Sequence, residues 1–134
     1  MPQDQRTFLR HTLAALAYRA AKVLRDAPVG MADLTVADGA MTGTQVVDHI
    51  ADVVVWMGKL MRDDKSWGTK TSPDFAAARD RFFAALEDVD GLLASGEPIA
   101  APVERLFQGP VADALTHVGQ LATLRRRAGS PVQG

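Results

Sequence analysis

Two histidines and one aspartate are the residues of this chain best suited to chemistry. Asp113 and His117 are the only ionisable residues within 110–124, and residues four apart lie on one face of a helix. His49 lies beside Ile50 on the apolar stripe of an earlier helical stretch, which directs it toward the core. Two imidazoles and one carboxylate suit a divalent metal such as zinc, nickel, iron or manganese.

Three protein ligands on one side of an ion leave its other positions open to water or substrate, which is typical of a catalytic metal site. An alternative interpretation needs no metal. Asp113 and His117 then form a buried hydrogen-bonded pair, and His49 is satisfied separately. In both cases the carboxylate needs a partner, because an unpaired charge is costly in an apolar interior. Gln120 continues the row that Asp113 and His117 begin.

Helical periodicity and end signals predict four helices that position these residues. The predicted ranges are 4–26, 44–64, 73–94 and 110–127. Thr42 or Thr44 caps the second helix, Ser72 caps the third, and Gly109 with Pro110 begins the fourth. No stretch shows the sustained alternation typical of a strand. We therefore expect an all-α, up-down four-helix bundle with antiparallel helices.

Helical spacing also assigns the charged residues near the site. Asp52 is three residues after His49 and could reach the same region, whereas Asp48 falls on the outer side of the helix. Arg81 belongs to a mainly solvated face of the third helix. Trp67 lies in a polar, glycine-containing stretch that indicates a loop.

The fourth helix lacks the charged face that a surface helix normally shows. We therefore expect it to be buried on most sides, within the bundle and at a subunit interface. A row of small side chains on this helix would permit the close approach of another helix: Ala112, Thr116, Gly119 and Thr123. These features favour a homodimer.

Composition excludes several classes of protein. A chain of 134 residues is long enough for one domain, spanning 1–134, but not for two. With 15 basic and 16 acidic residues, the chain lacks the basic character of a nucleic-acid binder. The absence of cysteine excludes disulfides and thiolate ligands. No apolar run approaches the roughly 20 residues of a membrane span, and no signal peptide is recognisable. The expected location is the cytoplasm.

Two segments of the chain resemble the DinB/YfiT-like superfamily. They are Thr44-Gln-Val-Val-Asp-His-Ile-Ala-Asp-Val-Val-Val-Trp56 and Asp113-Ala-Leu-Thr-His-Val-Gly-Gln-Leu-Ala-Thr-Leu-Arg-Arg126. The resemblance implies a four-helix bundle, often a homodimer, with a metal held by one histidine of helix 2 and a His-x-x-x-His pair of helix 4. His49 and His117 match two of these ligands. Asp113 stands where the third histidine is expected, so the site is either a two-histidine, one-carboxylate variant or degenerate.

Two functions follow as hypotheses. The first, implied by the resemblance, is a metal-dependent enzyme of the hydrolase or thiol transferase type that acts on a small molecule. Since the chain has no cysteine, any thiol nucleophile would be a bound small thiol. The second is a non-catalytic, stress-related or partner-binding dimer whose polar core only fixes the packing.

Overall fold

The computed structural model describes residues 1–134, and all of its regular secondary structure is helical. The chain forms four long helices. The fourth is made of two α-helical segments joined without a break by one turn of π-helix. The bounds are α1 Gln3–Leu24, α2 Gly43–Met61, α3 Phe75–Ala94, and α4 Val103–Leu106, Phe107–Val111 and Ala112–Arg127. The predictions of four helices and of no strand are confirmed. No helix combines the length and the apolar character required to cross a membrane.

The helices pack as a bundle in which each contacts two neighbours. α1 packs against α3 and α4, and α2 packs against the same two helices. Consecutive helices α1 and α2 therefore stand on opposite corners. The largest fully buried side chains come from all four helices and from a short 3-10 helix, Val29–Asp33, between α1 and α2. They include Leu9, Leu16, Met31, Ile50, Met57, Phe82, Leu93 and Leu121.

The direction of α1 follows from the contacts at its two ends. Arg6, near the start of α1, donates to the carbonyl oxygen of Leu92 near the end of α3, so these two helices are antiparallel. Arg125, near the end of α4, donates to the carbonyl oxygen of Val23 near the end of α1. α1 and α4 therefore run in the same direction.

α2 and α3 also run in the same direction. Asp48 in the first half of α2 pairs with Arg81 in the first half of α3, and Arg62, just beyond α2, pairs with Asp88 near the end of α3. The order is therefore up-down-down-up, and the predicted strict alternation of antiparallel helices is wrong in this respect. The local periodicity of the sequence predicts the helices but not their relative directions. These depend on the length and the path of each connecting segment.

The connection between α2 and α3 is the reason for this order. α2 has 19 residues and is roughly 28 Å long. The segment 62–74 can span up to roughly 40 Å when extended, and it runs back along α2. The backbone N–H of Lys70 donates to Asp52 Oδ1 and that of Ser72 donates to Asp48 Oδ2. Ser72 was predicted to cap the third helix, but Asp74 does so instead, by accepting from the Ala77 N–H.

Two other helix starts compare differently with the sequence. Thr42 caps α2 in a reciprocal pair of hydrogen bonds with Gln45, as one of the two predicted caps. The fourth helix does not begin at Gly109 and Pro110. It begins at Val103, and Pro110 lies inside the π-turn. A proline has no N–H to donate inside a regular helix, and here the helix continues through a widened turn instead of ending.

The fourth helix is covered on most of its sides, as its lack of charge predicted. Its inner face is buried, with Ala114, Val118 and Leu121 in the core. Thr116 and Gly119, on its outer face, are exposed in the single chain. Within 110–124 only Thr116, Gly119 and Thr123 are exposed as whole residues, so burial on most sides is confirmed and one narrow outer face is left uncovered in the single chain.

Candidate metal centre

The three residues singled out by the sequence converge between α2 and α4. His49 Nε2 lies 3.1 Å from Asp113 Oδ2, and His117 Nε2 lies 3.6 Å from Asp113 Oδ1. One ligating atom from each residue lies within 4.8 Å of the other two. The imidazole rings are 4.4 Å apart between centroids and almost perpendicular, at 79°. The predicted convergence is confirmed, and the group is able to hold a metal ion.

The local fold explains why these side chains meet. Asp113 and His117 are separated by one turn of α4, and α2 passes in the opposite direction with His49 facing them. The same antiparallel approach brings Trp56, two turns beyond His49, to Gly109, where a Cβ atom would lie 3.6 Å from the indole. Trp56 therefore packs within ordinary van der Waals distance of α4 at Gly109.

The side-chain amide of Gln120 determines which nitrogen of the neutral His117 ring carries the proton. His117 Nδ1 lies 2.6 Å from Gln120 Oε1. Because an amide oxygen only accepts hydrogen bonds, Nδ1 carries the proton in the neutral ring and Nε2 presents its lone pair. A hydrogen bond to the second nitrogen is the usual outer contact of a metal-bound histidine.

Two of the donor–donor separations are close to the spacing that one ion requires. Two ligands bonded at about 2.0–2.1 Å to a tetrahedral ion lie about 3.3 Å from each other. The separations of 3.1 and 3.6 Å are close to this value, although they involve the two different oxygens of Asp113. The three donor atoms lie within 4.8 Å of one another, so they would draw closer together to bind one ion. Imidazole and carboxylate donors suit zinc, iron, nickel and manganese.

The centre is open to solvent. The side chain of Asp113 is 46% exposed, that of His49 is 29% exposed and that of His117 is 18% exposed. The expectation of a buried carboxylate is therefore wrong. Asp113 lies near the outer edge of the bundle, where water solvates part of it and a small molecule can reach it.

An indole outside the predicted site lines the centre. Trp67, in the crossover segment 62–74, has its ring 6.3 Å from that of His49 and 5.9 Å from that of Trp56. Its position in a loop is as predicted. Its proximity to His49 was missed, because nothing in the local sequence indicates that the loop runs back along α2.

The two aspartates beside His49 have a different role from the one expected. Asp48 and Asp52 are buried, and both pair with Arg81, whose Nη2 lies 3.2 Å from Asp48 Oδ1 and 2.9 Å from Asp52 Oδ1. Asp52 does not join His49, Asp48 is not on an outer face, and Arg81 is not solvated. These pairs hold α3 and the crossover segment against α2, on the side of the helix away from α4.

Comparison of the chain with family models, with curated proteins and with solved structures finds no match.

Proposed function

We propose that this chain is a DinB/YfiT-like, metal-dependent enzyme of the hydrolase or thiol transferase type that acts on a small molecule in the cytoplasm. The observation that carries the proposal is the convergence of His49, Asp113 and His117, with their ligating atoms within 4.8 Å of one another. The sequence segments that hold these residues carry the resemblance, and Asp113 replaces one histidine of the family pattern.

The arrangement supports a catalytic more than a structural metal site. Three protein ligands leave coordination positions free, and the half-exposed Asp113 leaves the centre accessible. A divalent ion held there would supply Lewis-acid chemistry, either by polarising a substrate or by lowering the pKa of a nucleophilic water or thiol. Gln120 keeps His117 in the tautomer that can bind the ion.

The competing function is a non-catalytic bundle with a degenerate site. The contact that favours it is the 3.1 Å hydrogen bond between His49 and Asp113, which satisfies both groups without an ion.

Metal analysis of protein purified without a histidine tag separates the two functions. The enzyme proposal predicts about one equivalent of a transition metal or zinc per chain, removed by a chelator and restored by adding the ion back. A protein that carries no metal and binds none when it is supplied is the non-catalytic bundle.

We also propose that the chain forms a homodimer through the outer face of α4. Thr116 and Gly119 are exposed there, and the hydroxyls of Thr116 and Thr123 donate to carbonyl oxygens of their own helix. These hydroxyls need no outside partner, so the face can be covered by an apolar surface at little cost. A second copy is the expected occupant, because pairs of identical chains usually close with two-fold symmetry.

Light scattering with one glycine variant tests the dimer. A Cβ atom at Gly119 meets no other atom within 4 Å, and the same holds at Gly91 on α3. Both positions therefore accept a side chain in the single chain. Gly119→Arg is expected to convert the dimer to a monomer of 14.4 kDa, whereas Gly91→Arg leaves it a dimer. A wild-type monomer at micromolar concentration overturns this proposal.

A further inference from the structure

We propose that Trp67 is the wall of a substrate subsite that takes a flat apolar group carrying an anionic, metal-binding head. This inference rests on the proposed function, since the head would bind at the centre formed by His49, Asp113 and His117. It assigns a binding role to a residue outside the three candidate ligands.

The position of Trp67 is what a subsite requires. Its side chain is among the few large apolar ones left exposed, at 49%. Its ring lies 6.3 Å from the ring of His49, and Trp56 stands against it at 84° with centroids 5.9 Å apart. Two indoles at right angles form an apolar corner beside His49, and planar groups pack favourably against such rings.

Trp67 is also held in place on both sides. On the N-terminal side, Asp64 accepts a hydrogen bond from the Ser66 N–H, and this bond holds the pKa of the Asp64 carboxyl below its usual range. On the C-terminal side, the N–H groups of Lys70 and Ser72 are bound by the buried aspartates of α2. A wall whose backbone is already ordered loses little entropy when a ligand binds.

The charges around the corner select the head group. Two neutral imidazoles, one carboxylate and a divalent cation together carry one positive charge, so the remaining coordination positions favour an anionic donor. Lys59, whose Nζ lies 3.4 Å from Ser66 Oγ next to Trp67, offsets the negative charge of Asp64 in the same segment. The expected ligand is therefore an aromatic or similarly flat anion, not a cation or a sugar.

Two hydroxamates provide the test, since both chelate metal ions and they differ only in the group beyond the head. Zn²⁺-loaded protein is titrated with acetohydroxamate and with benzohydroxamate, and the ratio of the two Kd values is compared between variants. We expect wild type to prefer benzohydroxamate and Trp67→Ala to reduce this preference roughly 3- to 10-fold. Using the ratio removes any effect of the variant on metal affinity.

Two further variants complete the design. Tyr18→Ala removes another exposed aromatic ring, at 63% exposure on α1, and is expected to leave the preference unchanged. Trp67→Phe keeps a flat ring and is expected to retain most of it. If Zn²⁺ binds but Trp67→Ala keeps the wild-type ratio, the subsite is overturned and the proposed function stands. If separate Zn²⁺ titration detects no binding, both fail.

Discussion

His117 Nδ1 and Gln120 Oε1 lie 2.6 Å apart, within one turn of α4. The contact orients the imidazole so that Nε2 faces Asp113 at 3.6 Å. Gln120 cannot reach the metal centre itself, but through this contact it orients His117 Nε2, whose lone pair would bind an ion there. Asp113, His117 and Gln120 therefore form one contiguous row of side chains on a single face of α4.

Removing this contact is expected to weaken metal binding without removing a ligand. Gln120→Ala should lower the affinity for Zn²⁺ by about 10- to 100-fold, because the ring loses its fixed tautomer and orientation. Gln120→Glu keeps an acceptor oxygen and should retain affinity. Isothermal titration of the metal-free proteins measures both, and an unchanged Kd for Gln120→Ala would show that the contact has no part in binding.

A third imidazole at position 113 is expected to strengthen binding. Asp113→His restores the His-x-x-x-His pair that the resemblance implies. It also replaces a half-exposed carboxylate with a nitrogen donor that zinc readily accepts. The affinity for Zn²⁺ should rise in a competition assay with a coloured chelator. A lower affinity than wild type would mean that the carboxylate is specifically required.

Metal affinity is expected to fall in acid. The unperturbed pKa of an imidazole side chain is about 6.5, and only the neutral form can donate a lone pair to an ion. As the pH decreases through this range, protons compete with the metal for two of the three donors, so the apparent Kd for Zn²⁺ should rise steeply. Zn²⁺ titrations at constant ionic strength between about pH 8 and about pH 5, a range that brackets the imidazole pKa, test this. A Kd independent of pH would exclude histidine ligands.

Arg81 is expected to be important for stability and not for metal binding. Arg81→Met leaves Asp48 and Asp52 buried without their common cation, which should cost about 3–5 kcal/mol of unfolding free energy. Arg79→Met, two residues earlier, removes a guanidinium that pairs with the exposed Asp80 and should cost about 1 kcal/mol or less. Urea denaturation compares the two, and equal losses would contradict the assigned role.

Residue patterns predicted the four helices and the shared face of Asp113 and His117, whereas the placement of His49 opposite them followed from the resemblance. The spacing of Asp113 and His117 places both on one face of any helix, and the apolar stripe of α2 leaves only one way for His49 to point. These inferences depend on periods of a few residues, which a sequence displays directly.

Long-range relations were not predictable in the same way. The burial of Asp48 depends on the return of segment 62–74 along α2, and the proximity of Trp67 to His49 has the same cause. The continuation of α4 through Pro110 depends on a widened turn, whereas proline after glycine is ordinarily a signal that a helix begins. Each of these features is decided by tertiary packing, which overrides the local signal.

Titration of untagged, metal-free protein with Zn²⁺ tests the central claim most directly. Wild type is expected to bind about one equivalent per chain, and His49→Ala or His117→Ala should abolish binding, since each removes one of three ligands. His11→Ala is the matched control, because this exposed third histidine lies on α1, outside the converging group. Zn²⁺ binding that survives both site variants, or that is lost equally in His11→Ala, contradicts a metal centre at His49, Asp113 and His117.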